Sequence, residues 1–516
     1  GYSPPDAPGS TLSLDPLPYP HLSKPGCSSA LRATSSSGYP ELWEVQTNQA
    51  PALIGRRLHQ APGLPAGVTF GQDIARQSYE NQNYRRAEYL PQQSGYALVH
   101  SYLEGSGVRR DPATDALPLN NAALWLRSPS GTMSLIMRSG DPVPGLPGLY
   151  VGQLAARLYY GGSPGVPGYT QMQGGSLTAN GKYAFRALLT DASGDPNSTA
   201  GGNSIWSNRS GTLRLEIRTG DRFTDALSGQ EWQIVQTGLP GQDQPGIYLH
   251  DNGTLYYSGS GYRIGIDPVG ATNPSRKLLI ENLLDGTKRV IAFEGQVAPG
   301  RPDIIFGSAI GTDFFMTQRP SVIFSSNALG SLFGPRMLLA YRGGAMRTSA
   351  RTGEPIAALN GAALATLAYT VIPATSRGHF PWKVEDSTSA EFVLGDDLGT
   401  LKLLVNALGH FPSSNDSVLN GVRNSCAPNA FNASGDILLQ CSAGTLSRLV
   451  AYHPDDSEVG QCAADFNSDG SSSVQDIFSF LTLWFALDSR ADFNRDGSVT
   501  VQDLFDFLTA WFEGCP

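Results

Sequence analysis

ALWLRSPSGTMSLIMRSGDPVPG, residues Ala123–Gly145, reads as a hairpin followed by the signal that ends it. Two apolar-rich runs flank Ser-Pro-Ser-Gly, and the glycine supplies the positive φ that a tight connection between strands needs. The arrangement recurs at SIWSNRSGTLRLEIRTGD (Ser204–Asp221) and LLIENLLDGTKRVIAFEGQVAPG (Leu278–Gly300). Fainter copies stand at Met337–Pro355, Phe392–Gly409 and Ile437–Pro454. Within them the side-chain period is two: Leu213, Leu215 and Ile217 fall on one face, Arg214, Glu216 and Arg218 on the other.

Outward from each hairpin lies a further strand, usually announced by glycine: SGYALVHSYL from Ser94, NGKYAFRALL from Asn180, NGTLYYSGSG from Asn252, RPSVIFSS from Arg319 and SGDILLQC from Ser434. Another follows the Gly-Asp step, as in Gly148–Leu154 and Asp303–Ile310. About four strands per unit and about six units make a mainly β body in which short sheets repeat along the chain. Radial repetition of four-stranded sheets leaves only short, protected edges. The expected fold of residues 41–455 is therefore a β-propeller, of six blades in the first reading and seven in the second. A β-sandwich pair or a β-solenoid is the alternative. Strands near Leu42–Val45 or Ala52–Arg56 are expected to complete the sheet containing Leu446–Tyr452 and so close the ring.

Composition agrees with a turn-rich β protein. Glycine and proline account for 95 of 516 residues and charged residues for 16%, too few for long exposed helices. The net charge of −9 argues against nucleic acid or an anionic membrane as partner, and no apolar run approaches the ~20 residues that span a bilayer. Residues 1–40, rich in Pro, Ser and Gly, read as an extended or disordered arm. The start at Gly1 fits a signal peptide already removed.

The chain ends in its most specific motif. Between Cys462 and Pro516, two copies of D-F-N-x-D-G-S-x-x-V-Q-D stand 27 residues apart. Oxygen ligands at positions 1, 3 and 5, glycine at 6 and a carboxylate at 12 form the pattern of a calcium loop. The first loop would use Asp465, Asn467, Asp469 and Asp476, with Ser471 giving its backbone carbonyl and Ser473 at position 9. The second would use Asp492, Asn494, Asp496 and Asp503, with Ser498 and Thr500 in the corresponding places, for two Ca2+ ions in all. Helical spacing follows each loop, at Ile477, Phe478, Leu481, Trp484, Phe485 and at Leu504, Phe505, Leu508, Trp511, Phe512.

This duplicated loop–helix unit, residues 456–516, resembles a dockerin, the EF-hand-like calcium module that plugs secreted bacterial proteins into cohesin-type receptors. Aspartate in place of glutamate at position 12 is a dockerin trait. The resemblance implies a cohesin-like partner, or copies of the chain itself, engaged through Trp484, Phe485, Trp511 and Phe512. Around the body it extends, more loosely, to secreted bacterial proteins with tandem N-x-x-G-x-x-x-F repeats. Asn432–Gly435 keeps the first half of that motif with Leu439 in place of Phe, and Gly181–Phe185 keeps the second half.

Five cysteines leave one over. A disulfide between Cys462 and Cys515, which bracket the calcium module, would tie its two ends together. Cys426 and Cys441, which flank a short segment, are the second expected disulfide pair, and Cys27 is either free or joined to another chain. Five N-x-S/T sequons, at Asn197, Asn208, Asn252, Asn415 and Asn432, fit the same extracellular or cell-surface setting.

No catalytic constellation is legible in the body. Gly161-Gly162-Ser163-Pro164-Gly165 fits G-x-S-x-G but lacks the strand before and the helix after that a nucleophile elbow requires. The histidines at 21, 59, 100, 250, 379, 410 and 453 show no metal-ligand spacing. Asp191, Asp195, Asp396 and Asp397 sit in turn-forming contexts. The expected function is a secreted, non-catalytic binding or scaffold protein, attached through its calcium module. Its alternatives are a self-assembling filament or surface-layer subunit and a dockerin-borne carbohydrate-active enzyme; a glycan is the expected small ligand in the last case.

Overall fold

The computed structural model describes residues 10–15, 28–35, 40–46, 52–71, 88–91, 95–109, 119–154, 175–178, 180–192, 201–237, 247–267, 275–298, 301–307, 310, 314–316, 321–328, 336–352, 354, 366–367, 380–385, 390–395, 401–405, 426–431, 437–443, 446–452, 466, 473–485, 491, 493 and 499–513. The chain divides into two compact units, Gly1–Tyr452 and His453–Pro516.

The first unit is mainly β and antiparallel. Among the described residues, seven sheets of three or more strands follow one another along the sequence. The first holds Ser10–Asp15, Ser28–Ser35, Pro40–Gln46 and Ala52–Arg56. In the second, Val68–Phe70 and Glu88–Pro91 both pair with Ala97–Gly105, which is followed by Ala122–Arg127 and Met133–Arg138. The third places Tyr150–Leu154 and Gly175–Leu177 on Tyr183–Thr190, then adds Gly202–Ser207 and Arg214–Arg218. The fourth places Glu231–Gln236 and Ile247–Leu249 on Leu255–Arg263, then adds Arg276–Asn282 and Lys288–Phe293, with Arg222–Thr224 on its edge. Phe314–Met316, Ser321–Asn327, Arg336–Arg342 and Ala345–Arg351 form the fifth. Thr366–Leu367, Phe380–Glu385, Ala390–Gly395 and Leu401–Val405 form the sixth, and Cys426–Phe431, Ile437–Ala443 and Leu446–Tyr452 the seventh.

Three expectations change here. Among the described residues seven sheets stand where six blades were the first reading and seven the second, and Ser10–Asp15 and Ser28–Ser35, within the expected extended or disordered arm, are strands of the first sheet. Pro40–Gln46 and Ala52–Arg56 pair with those strands, and among the described residues neither pairs with Leu446–Tyr452. The hairpin at Ile437–Pro454 joins the second and third strands of its sheet, whereas the five other hairpins join the third and fourth. Alternating strands look alike in either phase, so the period of two does not distinguish them.

Each of the first four sheets shares a core with the next. Leu42 and Ile54 of the first pack with Val99 and Trp125 of the second. Leu98 and Met137 of the second pack with Phe185 and Trp206 of the third. Ala184 and Ile205 of the third meet Tyr257 and Ile280 of the fourth, and Tyr256 and Leu279 of the fourth meet Phe324 and Tyr341 of the fifth. Neighbouring residues of one strand, such as Leu98 and Val99 or Tyr256 and Tyr257, thus serve different cores. This is why the central strands read as nearly continuous apolar runs: both of their faces are buried. Only outer strands such as Arg214–Arg218 keep the alternation, with Ile217 buried between more accessible Glu216 and Arg218.

Buried polar side chains stitch adjacent sheets. Arg209, fully buried, grips Glu216 with Nε at 2.9 Å and Nη2 at 2.7 Å. Its Nη1 donates across to the carbonyls of Gly253, Asn282 and Leu283 in the fourth sheet, at 2.9, 2.7 and 2.8 Å. Burial pushes the Glu216 carboxyl up, but the bonds from Arg209 and Ser207 outweigh it and hold the group below the usual carboxylate range. Between the fourth and fifth sheets Glu281 has the corresponding role, accepting from Tyr256 at 3.0 Å and from Tyr341 of the fifth sheet at 2.8 Å. Arg186 reaches from the third sheet to the Ser258 carbonyl, 3.3 Å away, in the stretch of Leu255–Arg263 that lies between its two short partner strands. No described helix is long and apolar enough to cross a membrane.

Candidate metal centre

The second unit contains two helices, α1 (Val474–Phe485) and α2 (Val501–Glu513). Each begins at a residue the sequence assigns to position 9 of a calcium loop. Ser473 caps α1: its Oγ accepts from the Gln475 N–H at 3.2 Å, while its own N–H donates to Asp476 Oδ2 at 2.8 Å. Thr500 caps α2 in the same way, with Gln502 at 3.2 Å and Asp503 Oδ2 at 2.7 Å. This reciprocal arrangement is a capping box with aspartate as its acid, and it satisfies amide donors that the first helical turn would leave orphaned. Ser473 and Thr500, expected at position 9 of the loops, are therefore N-caps. Ser/Thr-x-x-Asp was the sequence signal for this role.

Asp476 and Asp503, the loop-closing ligands at position 12, are both fully buried. A buried carboxylate needs strong compensation, and each receives an amide and a hydroxyl bond on Oδ2. A carboxylate pinned at the loop end by its own helix cap, within an all-oxygen donor set, fits a hard cation such as Ca2+. Asp465, Asn467, Asp469, Ser471, Asp492, Asn494, Asp496 and Ser498 lie outside the described residues, as do Cys27, Cys462 and Cys515. Among the described residues no group of three His, Cys, Asp or Glu side chains converges. Cys426 and Cys441 are directly opposed in the register of the seventh sheet.

Between the helices the core follows the 27-residue period. Phe480 stacks on Phe507 with ring centroids 4.4 Å apart and planes 6° from parallel. Phe466 and Phe493, one from each loop, set their edges against this pair. Trp484 and Trp511, expected at a partner surface, turn inward: they pack against the core, and their indole N–H groups bond to backbone within the unit. Phe485 and Phe512 do point out, 75% and 78% exposed, and with Val474, Phe478, Val501 and Phe505 they repeat one apolar face on each helix.

Among the described residues of the first unit, several polar side chains are engaged within the fold. The groups around Arg209 and Glu281 use one another across sheets, His100 is buried within the second sheet, and His250 Nδ1 accepts from the Asn252 amide at 3.1 Å. Burial, helped by the nearby Arg56 charge, lowers the pKa of His59. Gly161–Gly165, His21, His379, His410, His453, Asp195, Asp396 and Asp397 lie outside the described residues.

A family model described as "Family of unknown function (DUF7453)" matches residues 31–257, from the first sheet into the fourth and less than half of the chain. No curated protein matches. Among solved structures, the chain is similar to the β-propeller domain of the trilobed protease of Pyrococcus furiosus, at 9% identity and a TM-score of 0.38, over 86% of this chain and 96% of that one. It is also similar to an oligogalacturonate lyase in complex with manganese, at 10% identity and 0.33, over 88% and 92%. A third is a polysaccharide lyase of the ulvan lyase type, at 10% and 0.31, over 86% and 93%. Likeness at this level carries nothing about the chemistry of this chain.

Proposed function

We propose that the protein is a secreted, non-catalytic binding or scaffold protein, held in place through a calcium-stabilised, dockerin-like C-terminal module, and that its seven sheets close as a seven-bladed β-propeller. The observation that carries this reading is the paired arrangement at Asp476 and Asp503. Both are buried, capped alike and placed where a calcium loop closes, and each opens a helix with an outward apolar face. Two Ca2+ ions would order the loops, neutralise the carboxylates gathered there and fix both helices. The faces bearing Phe485 and Phe512 then meet a cohesin-like receptor at the cell surface or in the extracellular matrix. Sequential antiparallel sheets, the first four of which each share a core with the next, support the propeller.

Calorimetry of the full chain tests the reading. Two calcium ions are expected per chain, and Asp465→Ala with Asp492→Ala should abolish their uptake while thermal unfolding of the β unit persists. Failure of the unsubstituted chain to take up calcium would overturn the proposal. Reproducible turnover on a panel of glycans would overturn its non-catalytic aspect.

A further inference from the structure

The two repeats of the C-terminal unit exchange a hydrogen bond. Trp484, near the end of α1, donates from Nε1 to the backbone carbonyl of Thr500 at 2.7 Å. Trp511, 27 residues later and near the end of α2, donates to the backbone carbonyl of Ser473 at 2.9 Å. Neither carbonyl belongs to the tryptophan's own repeat; each is at position 9 of the other one. The same two residues cap the helices, and through their N–H groups they hold Asp476 Oδ2 and Asp503 Oδ2. Each indole is therefore two contacts from the closing carboxylate of the opposite loop: Trp484, Thr500, Asp503 in one direction and Trp511, Ser473, Asp476 in the other.

We propose that Trp484 is a positioning residue for the second calcium loop and Trp511 for the first, so that each repeat orders the ion site of its partner. The inference rests on the calcium reading of the loops. Packing alone does not require the bond. A phenylalanine at either position would keep an aromatic ring against the core and lose the N–H together with the part of the indole that carries it. What the N–H adds is direction: it fixes the peptide at the point where loop becomes helix. The carbonyl and the N–H of a cap residue lie on either side of its Cα, so a cap residue free to rotate there would shift its N–H, and the carboxylate oxygen that accepts from it, out of place. Removing one neutral hydrogen bond of this kind loosens the segment it holds by roughly threefold to tenfold.

Hydrogen exchange followed by mass spectrometry on the full chain, with saturating calcium and with chelator, tests this without disabling either loop. In the unsubstituted chain, calcium should slow exchange in both 465–476 and 492–503. In the calcium-loaded Trp484→Phe chain, exchange should quicken roughly threefold to tenfold in 492–503 and stay within about twofold in 465–476; Trp511→Phe should show the reverse. The crossed pattern distinguishes positioning from loss of packing, which would loosen both segments or mainly the one attached to the altered helix. Either of those results overturns the proposal, as does no change in either segment. If calcium protects neither segment of the unsubstituted chain, the calcium reading fails and the proposal falls with it.

Discussion

The two units of this chain both repeat, and they do so by opposite means. In the β unit the sheets share architecture but little sequence: Trp125 and Trp206 in the third strands of two sheets correspond to Ile280 and Leu339 in others, and all are buried. In the C-terminal unit the two copies, Asp465–Phe485 and Asp492–Phe512, are identical at 15 of 21 positions. The difference follows from what each repeat must satisfy. A sheet packed between two others asks for apolar volume and period, which many residues provide. A metal loop asks for oxygen atoms at particular positions, which few residues provide. Charge divides the same way. Twelve of the 45 acidic residues and two of the 36 basic ones fall in residues 453–516, giving that unit a net charge of −10; the 33 acids and 34 bases elsewhere leave +1. One unit is held by apolar cores and buried hydrogen bonds, while the other concentrates negative charge that a cation would offset.

The largest effect expected to break this contrast is at Arg209. Arg209→Ala strips the Glu216 carboxylate of its two-pronged partner and leaves it only Arg214, Ser207 and Asn282, and should cost the β unit about 3 kcal/mol in urea unfolding. Added calcium should restore none of it; recovery with calcium would mean that the β unit also depends on the metal. Acid offers a smaller test. Because Glu216 is held below its ordinary range when folded, its contribution is complete above the unfolded value, near 4.5, and is lost as pH falls through the lower folded one. A Glu216→Gln chain should show a shallower fall in stability over that acid range than the unsubstituted chain, measured by thermal unfolding against pH. Smallest is the cap. Ser473→Ala and Thr500→Ala should each lower calcium-loaded helix stability by about 1 kcal/mol. Unequal losses, read by far-UV circular dichroism during thermal unfolding, would show that the two repeats are not equivalent.

Much of the β architecture was legible because turns have strict chemistry. Gly131, Gly211 and Gly286 take φ of 85°, 104° and 93° at the hairpin corners, a region costly for other residues, so each marked its hairpin. The first sheet was hidden by the Pro, Ser and Gly around its opening strands, a composition that also fits a chain with no structure. The cut in the first strand of three sheets was hidden by length, since pieces of three to six residues such as Gly175–Leu177 carry too few side chains to show a period. In the candidate metal centre, ligand types and spacing were plain. The inward turn of Trp484 was not, because α1 carries large apolar residues on several faces and helical period alone does not choose among them.

Residue identity alone thus settled the local decisions: where strands turn, where loops offer oxygen, where helices begin. Those depend on φ, hydrogen-bonding atoms and side-chain period within a few neighbours. The number of sheets, the strands that pair with the first forty residues, the bonds of Arg209 across to Asn282 and the exchange of Trp484 and Trp511 between repeats were decided in three dimensions. In each of these the partners lie far apart in sequence, and only the packed chain brings a donor to its acceptor.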